Sequence, residues 1–178
     1  MLYDVTNPRA PRQGFGEEPV ATYKAGHRGT GASEALAVRF NHVNERILAV
    51  GYANGHAHIF DSRKGKAVME ITDESAPRRI AGLAWAPHAQ TNLILASEHD
   101  ASPTLQFWEL RMGKAPKLEY VGHGRGVTDV AWCPQEPHVL VSSGKDQRTI
   151  VWDAPSGDQL GCLSPAEAGP AIQVRNCS

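Results

Sequence analysis

The sequence predicts an all-β chain folded as part of a β-propeller, with about three four-stranded blades plus the end of a preceding blade. Three segments repeat one pattern: a small-apolar strand ending in an aromatic residue, a turn, an apolar strand, a polar turn, and a strand closing on an aromatic residue and an acid. The closing aromatic residues are Phe60, Trp108 and Trp152, and their spacing of roughly 45 residues is the period of a blade. The 17 Gly and 12 Pro among 178 residues suit many short strands joined by turns.

The repeats divide the chain into three parts. We expect the end of a preceding blade and a loop in 1–32, three blades in 33–163, and an irregular tail in 164–178. The individual blades are predicted at about 33–71, 80–121 and 127–163. Three blades and a fraction cannot close a ring, so we expect the chain to be part of a longer protein or to be completed by another chain.

The strands of two regions can be assigned from turn residues. Near the start, Leu2–Asp4 is typical of the end of a third strand and Pro19–Lys24 of an outer strand. In the third repeat the breakers CPQEP, GKDQ and APSGD separate four strands. These strands are predicted at Val127–Trp132, His138–Ser143, Arg148–Asp153 and Gln159–Leu163.

Polar residues of the third repeat stand at the spacing of a known family. Gly122-His123 precedes its inner strand, and Ser142, Asp146 and Trp152 follow at the ends of later strands. This set resembles the WD-repeat family, so the fold class is a partial WD-repeat β-propeller. The resemblance implies a structural hydrogen-bond network in which His123 links the Asp146 turn to Ser142 and Trp152. The first repeat has Val50 and Asn54 in place of the Ser and Asp, and the middle repeat lacks the Gly-His pair.

Four arginines are candidate protein-binding residues. Arg78, Arg79 and Arg125 fall in loops between an outer strand and the next inner strand, and Arg148 follows a turn that opens on the same face. Guanidinium groups there suit acidic partner segments. A merely solvated rim is an equally weighted alternative, since arginines in loops are common.

Enzymatic, metal and nucleic-acid functions have little support. His56 and His58 share one face of a strand but have no third ligand at usable spacing, so we expect a solvated strand face and no metal. No nucleophile elbow accompanies Ser142 and His123, and Asp129 is the acid within the inner strands, so no catalytic residues or cofactor are predicted. The net charge of -1 gives no reason to expect nucleic acid. No stretch reaches the roughly 18 apolar residues of a membrane span, so direct membrane insertion is not expected.

The amino-acid sequence within the repeats resembles that of one particular family. Three segments carry the similarity: LASEHD followed by a Pro-containing insertion, GRGVTDVAWCPQ after the Gly-His pair, and SSGKDQRTIVWD. They resemble the N-terminal propeller of the large outer-cage subunit of the COPII vesicle coat, from about Leu36 to Leu163. The resemblance implies a non-enzymatic scaffold in transport from the endoplasmic reticulum to the Golgi. It implies as partners the smaller WD-repeat outer-coat subunit and other coat propellers, and a cytoplasmic location, peripheral on exit sites and vesicles.

A WD-repeat adaptor for another complex is the alternative. Such an adaptor would recruit histone tails or ubiquitin-ligase substrates, and FNHVNERILAVGYANG in the first repeat resembles histone-binding propellers. Because one fold serves many functions, the repeats alone do not decide between the two.

Overall fold

The computed structural model describes residues 33–73, 77–112 and 115–164. Within them, twelve strands form three four-stranded sheets. The first sheet contains β1 Ala35–Phe40, β2 Ile47–Tyr52, β3 His56–Asp61 and β4 Ala67–Thr72. The second contains β5 Ile80–Trp85, β6 Asn92–Ser97, β7 Thr104–Glu109 and β8 Leu118–Val121. The third contains β9 Val127–Trp132, β10 Val139–Gly144, β11 Thr149–Asp153 and β12 Gln159–Leu163.

The prediction of an all-β fold with three four-stranded blades is confirmed. Each blade is an antiparallel meander whose strands pair in chain order. The first strands lie side by side, β1 against β5 and β5 against β9, which makes them the inner strands of the propeller. The strands predicted at Leu2–Asp4 and Pro19–Lys24 lie outside the described residues. In the described ranges no helix is long and apolar enough to cross a membrane.

The strand register makes positions equivalent between blades. In each blade a leucine of the second strand pairs with the closing aromatic residue: Leu48 with Phe60, Leu93 with Trp108, and Leu140 with Trp152. Two residues further along the second strand, the equivalent pairs are Val50–His58, Leu95–Gln106 and Ser142–Ile150. Leu95 therefore occupies in the second blade the place that Ser142 occupies in the third.

The core lies between the sheets. One buried cluster joins Ile59 and Ile71 of the first blade to Trp85 and Trp108 of the second. The other joins the second blade to the third and contains Phe107, Tyr120, Leu140, Ile150 and Trp152. Each tryptophan of a third strand thus faces the preceding blade, and burying a side chain of this size contributes about 2–3 kcal/mol. The blades therefore stabilise one another.

The third blade differs from the predicted strands by one residue at three boundaries, one of which is the end of the second strand at Gly144. The second strand begins at Val139 and the third at Thr149, each one residue later than predicted. Arg148 is used by the preceding turn: its carbonyl accepts from Gly144 N–H at 3.1 Å, and its own N–H donates to Asp146 Oδ1 at 3.2 Å.

Candidate functional site

The polar residues singled out in the third repeat converge inside the blade. His123 Nε2 lies 2.7 Å from Ser142 Oγ, and Trp152 Nε1–H donates to the same hydroxyl at 2.8 Å. His123 Nδ1 lies 3.0 Å from Asp146 Oδ1. A carboxylate only accepts hydrogen bonds, so the proton of the neutral imidazole belongs on Nδ1, and Nε2 accepts from the Ser142 hydroxyl. The four side chains form a continuous chain of hydrogen bonds, called here the blade network.

Asp146 anchors this network in the turn between β10 and β11. Its Oδ2 accepts from Gly124 N–H at 2.8 Å, and its Oδ1 accepts from Arg148 N–H. Burial favours the neutral acid, yet the hydrogen bonds from Gly124 and His123 hold the pKa of Asp146 below its ordinary value. The carboxylate therefore stays ionised and ties the turn to the segment that precedes the inner strand.

The blade network is closed to substrates. The side chains of His123 and Ser142 are buried, and the Ser142 hydroxyl already contacts both His123 and Trp152. A nucleophile must reach the atom that it attacks, and no substrate reaches this hydroxyl in the folded blade. The arrangement suits cohesion of the blade, and its assignment as the stabilising network stays a prediction.

Arg78 and Arg79 lie between the first and second blades and contact acids of this chain. Arg78 Nη1 donates to Thr104 Oγ1 at 2.9 Å and to Glu119 Oε1 at 3.2 Å, and its side chain is only 17% exposed. Arg79 Nε donates to Glu98 Oε2 at 2.7 Å. Both guanidinium groups thus have partners within the chain. Fewer of their N–H donors are therefore free to bind an acidic protein partner than the sequence implies.

Arg125 and Arg148 also have partners within the chain. Arg125 Nη2 lies 3.2 Å from Asp100 Oδ2, and its side chain remains 60% exposed. Arg148 Nη1 donates to the Gly122 carbonyl at 2.9 Å. Of the four candidates, Arg125 is therefore the most available to another protein, and its binding role stays a prediction.

Sequence reasoning missed the acids and the lysine that complete this face. Lys145 Nζ lies 3.0 Å from Glu98 Oε1 and 3.8 Å from Asp100 Oδ1. Lys145 belongs to the third blade and both acids to the second, while Arg79 Nη2 reaches Glu34 of the first blade at 3.6 Å. These charges form a belt across both blade junctions, called here the junction belt. Its signal was present in the sequence, because Glu98 and Asp100 lie in LASEHD and Lys145 in SSGKDQ.

Close approach of the backbone accompanies the junction belt. Gly126 N–H donates to Asp100 Oδ1 at 3.0 Å. A Cβ atom at Gly126 would collide with the carbonyl oxygen of Glu98 in the second blade. Glycine is therefore required here by the tight contact between blades rather than by an unusual backbone angle.

The expectation of a solvated face at His56 and His58 is wrong. His58 is 1% exposed, with its ring 5.0 Å from that of Tyr52 and 6.1 Å from that of Phe60. His56 Nδ1 lies 2.7 Å from Glu70 Oε1. Alternation along a strand shows which residues share a face, but not whether that face is covered. Among the described residues, no group of three or more His, Cys, Asp or Glu is placed to hold a metal ion.

The inner strands border a cleft of about 470 Å³. Arg39 Nη2 and Asp129 Oδ1 face each other across it at 3.8 Å, and both side chains are more than half exposed. Trp85 is buried beside it and donates its indole N–H to the Arg39 carbonyl at 3.1 Å, which ties β5 to β1. Trp132 packs toward the second blade, with its ring 6.2 Å from Phe107. The described lining of this cleft also contains His42 and His88, and its acid is Asp129.

Two family models match the chain. The model described as "WD domain, G-beta repeat" matches residues 114–153. The model of the "Anaphase-promoting complex subunit 4 WD40 domain" matches residues 23–97. The chain therefore carries WD repeats, in agreement with its three sheets.

Curated relatives are protein transport proteins. The chain is 35% identical over 134 residues to protein transport protein SEC31 of Chaetomium globosum, covering 75% of this chain and 10% of that protein. It is 36% identical over 123 residues to protein transport protein Sec31A of Danio rerio, covering 69% of this chain and 10% of that protein. The match to SEC31 of Yarrowia lipolytica covers 94% of this chain and 13% of that protein at 31% identity. The chain thus spans about a tenth of the length of these relatives.

Solved structures show the same fold. A chain of "COPII on membranes, outer coat vertex" superimposes with a TM-score of 0.73 at 24% identity, covering 83% of this chain and 39% of that one. A chain of "The structure of the COPII coat assembled on membranes" gives the same TM-score and identity and is covered over 22% of its length. At this identity the likeness establishes a shared blade architecture.

Proposed function

Because this chain is a WD-repeat propeller segment similar to Sec31 proteins over about three quarters of its length, we propose that it is a non-enzymatic scaffold of a COPII-type outer coat. It would act in transport from the endoplasmic reticulum to the Golgi through protein contacts of the propeller. The observation that carries this proposal is the identity of 35–36% to Sec31 proteins from a fungus and a fish.

The geometry suits a mechanical role in which the protein catalyses no reaction. A coat subunit must transmit force between neighbours without deforming, which requires blades that do not slide past one another. Two apolar clusters and the junction belt hold adjacent blades together, while the blade network stiffens the third blade from within. Packed interiors transmit strain because they have low compressibility. The scaffold would therefore present its surface loops at fixed relative positions.

The partners that fit this role are proteins of the same coat. We place the smaller WD-repeat outer-coat subunit and other coat propellers among them, with the protein on the cytoplasmic side, peripheral at exit sites and on COPII vesicles. The solved coats whose chains share this fold support a role within such an assembly. The exposed charges at the blade junctions, among them Arg125, would mainly set the rate and orientation of encounter.

A segment replacement tests this function. In Yarrowia lipolytica, this chain replaces the matching segment of SEC31, and growth, secretion and colocalisation with an exit-site marker are measured. The control carries a three-blade segment of an unrelated WD-repeat protein at the same place. We expect this chain to support growth and exit-site localisation, and the control to fail. Failure of both replacements, with normal protein levels, would contradict the coat function.

An adaptor for another complex is the second candidate, favoured by the match of residues 23–97 to a WD40 domain of the anaphase-promoting complex. An adaptor would recruit a substrate or a histone tail instead of building a cage. Imaging the tagged protein in its own cells discriminates the two functions. A nuclear location, away from exit sites, would support the adaptor and count against the coat scaffold.

A further inference from the structure

An apolar groove of about 300 Å³ lies at the junction of the first and second blades, on the face opposite the junction belt. One wall is formed by Ile47, Ile59, Val68 and Met69 of the first blade. The other wall belongs to the second blade and contains Gln90, Thr91, Leu110 and Arg111. We call this feature the junction groove.

The junction groove lies beside a residue that is smaller than its equivalent at the next junction. The register makes Ile59 equivalent to Phe107, since these residues pair with Met69 and Leu118 of the outer strands. The register also makes Ile71 equivalent to Tyr120, since these residues pair with Ala57 and Leu105 of the third strands. At the second junction Phe107 packs against Trp132, and Tyr120 donates its hydroxyl to the Ala154 carbonyl at 2.7 Å. Ile59, which lines the groove, fills less space than Phe107, and this difference leaves room at the first junction.

Aliphatic side chains at the groove are exposed to solvent. Val68 is 43% exposed and Met69 is 37% exposed, although both lie beside buried residues of the core. An apolar cavity at the lower end of the size range of ligand sites accommodates one or two aliphatic side chains. Exposed apolar patches with a polar rim are typical of surfaces that contact other proteins.

The rim of the groove is basic. Arg111 lines it, Lys64 and Lys66 lie in the turn that leads to Val68, and Arg46 precedes Ile47. All four side chains are exposed, and within the described ranges none of them forms an ion pair. Arg63 differs, because Asp61 pairs with it at 3.0 Å and offsets its charge. The acids on the same side are Glu45, Asp61 and Glu109, and Glu109 Oε1 accepts from the Arg111 backbone N–H at 3.2 Å. The basic side chains outnumber these acids, so the net charge around the groove is positive.

We infer that the junction groove binds an acidic protein segment that inserts one or two aliphatic side chains. The aliphatic side chains would replace water along Ile59, Met69 and Leu110, while carboxylates on either side would face Arg111 and Lys66. Charge complementarity selects an acidic partner, and the apolar walls select an apolar anchor. This surface is separate from the coat contacts proposed above and does not depend on them.

The probe for this inference is a fluorescein-labelled nonapeptide of Glu and Asp with two Leu at its centre. Its binding to the full chain is measured by fluorescence anisotropy at two salt concentrations. A second peptide with both Leu replaced by Ser tests the anchor, and a third with Lys in place of the acids tests the charge. We expect a dissociation constant of tens to hundreds of micromolar for the first peptide, and at least roughly tenfold weaker binding for the other two.

Two valines provide a matched pair of variants. Val68→Asp places a charge in the groove, whereas Val121→Asp makes the same change on the outer strand of the second blade, where Val121 is 71% exposed and lines neither groove nor cleft. We expect Val68→Asp to weaken peptide binding about tenfold or more and Val121→Asp to leave it within about twofold. Thermal melting of both variants separates lost binding from lost folding.

A third variant, Arg111→Glu, tests the groove at a residue outside β4, the outer strand that carries Val68. Because Arg111 is exposed, the variant should melt like the wild type and bind the acidic peptide several-fold more weakly, with a smaller salt dependence. Equal binding of the Leu and Ser peptides, or equal loss in the two valine variants, would overturn the inference. If the groove instead binds a second copy of the chain, the wild type should dimerise, Val68→Asp should abolish the dimer, and no peptide should bind. That result would also overturn the inference.

Discussion

Trp152 donates its indole N–H to the hydroxyl of Ser142 over 2.8 Å, and both side chains are buried. The same hydroxyl lies 2.7 Å from His123 Nε2. The Ser142 hydroxyl thereby links β10 and β11 to the segment before β9, which carries His123. In the second blade Leu95 replaces this serine, and Trp108 Nε1 is buried with no hydrogen-bond partner among the described residues.

Replacement of Ser142 tests the blade network. Ser142→Ala leaves the Trp152 donor and His123 Nε2 without their shared partner, and we expect a loss of about 1–3 kcal/mol in the free energy of unfolding. Denaturant unfolding measures the change. The control is Ser143→Ala, the adjacent serine on the other strand face, whose hydroxyl contacts the exposed Thr128. Equal stability of the Ser142→Ala variant and the wild type would refute the network.

The unpartnered indole of Trp108 permits a comparison of two variants at one position. Both Leu95→Ala and Leu95→Ser lose the packing of a buried leucine and should destabilise the chain. A serine hydroxyl can accept from Trp108 Nε1, so we expect Leu95→Ser to be the more stable of the two by about 1 kcal/mol. Chemical denaturation and the NMR shift of the Trp108 indole proton measure this. A less stable serine variant would show that the two blades are not equivalent in this respect.

The pH dependence of stability tests the junction belt. The hydrogen bonds from Lys145 and Arg79 hold the pKa of Glu98 below its ordinary value of 4.5. A carboxylate whose pKa is lowered by folding stabilises at neutral pH, and this contribution disappears as the pH falls through its folded pKa. Glu98→Gln should therefore cost about 0.5–1 kcal/mol at pH 7, and the difference from the wild type should vanish in acid.

Melting temperatures at several pH values measure this difference. Glu136→Gln, at an exposed glutamate outside the belt, serves as the control and should follow the wild type throughout. A constant difference between Glu98→Gln and the wild type down to acid pH would exclude the charge as its cause.

The arginines on this face should differ in their effect on folding. Arg78→Ala removes a largely buried guanidinium and leaves Glu119 and Thr104 without its hydrogen bonds, so we expect a loss of about 1–2 kcal/mol. Arg125→Ala removes an exposed partner of Asp100 and should lower the melting temperature far less. Calorimetry of the two variants measures the contrast, which would be refuted by equal losses.

Sequence reasoning succeeded where partners lie within one blade. The β9 and β12 boundaries agree with prediction because Gly, Pro and Asp mark the turns, and β11 begins one residue late because Arg148 is used by a turn. The pairing of His123 with Asp146 was implied by the resemblance to WD repeats, in which both residues belong to one repeat. The same reasoning overlooked Lys145, since its partner Glu98 belongs to another repeat.

By itself, the sequence determined the repeat, the antiparallel blades and the polar residues that meet inside the third blade. Period-2 alternation and turn chemistry depend on neighbours along the chain, so they can be seen without coordinates. Only the tertiary structure decided what meets between blades: the Lys145–Glu98 pair, the partner of Arg78, the burial of His58, and the groove beside Ile59. These depend on how two sheets pack side by side, and on the volumes of side chains that are far apart in the chain.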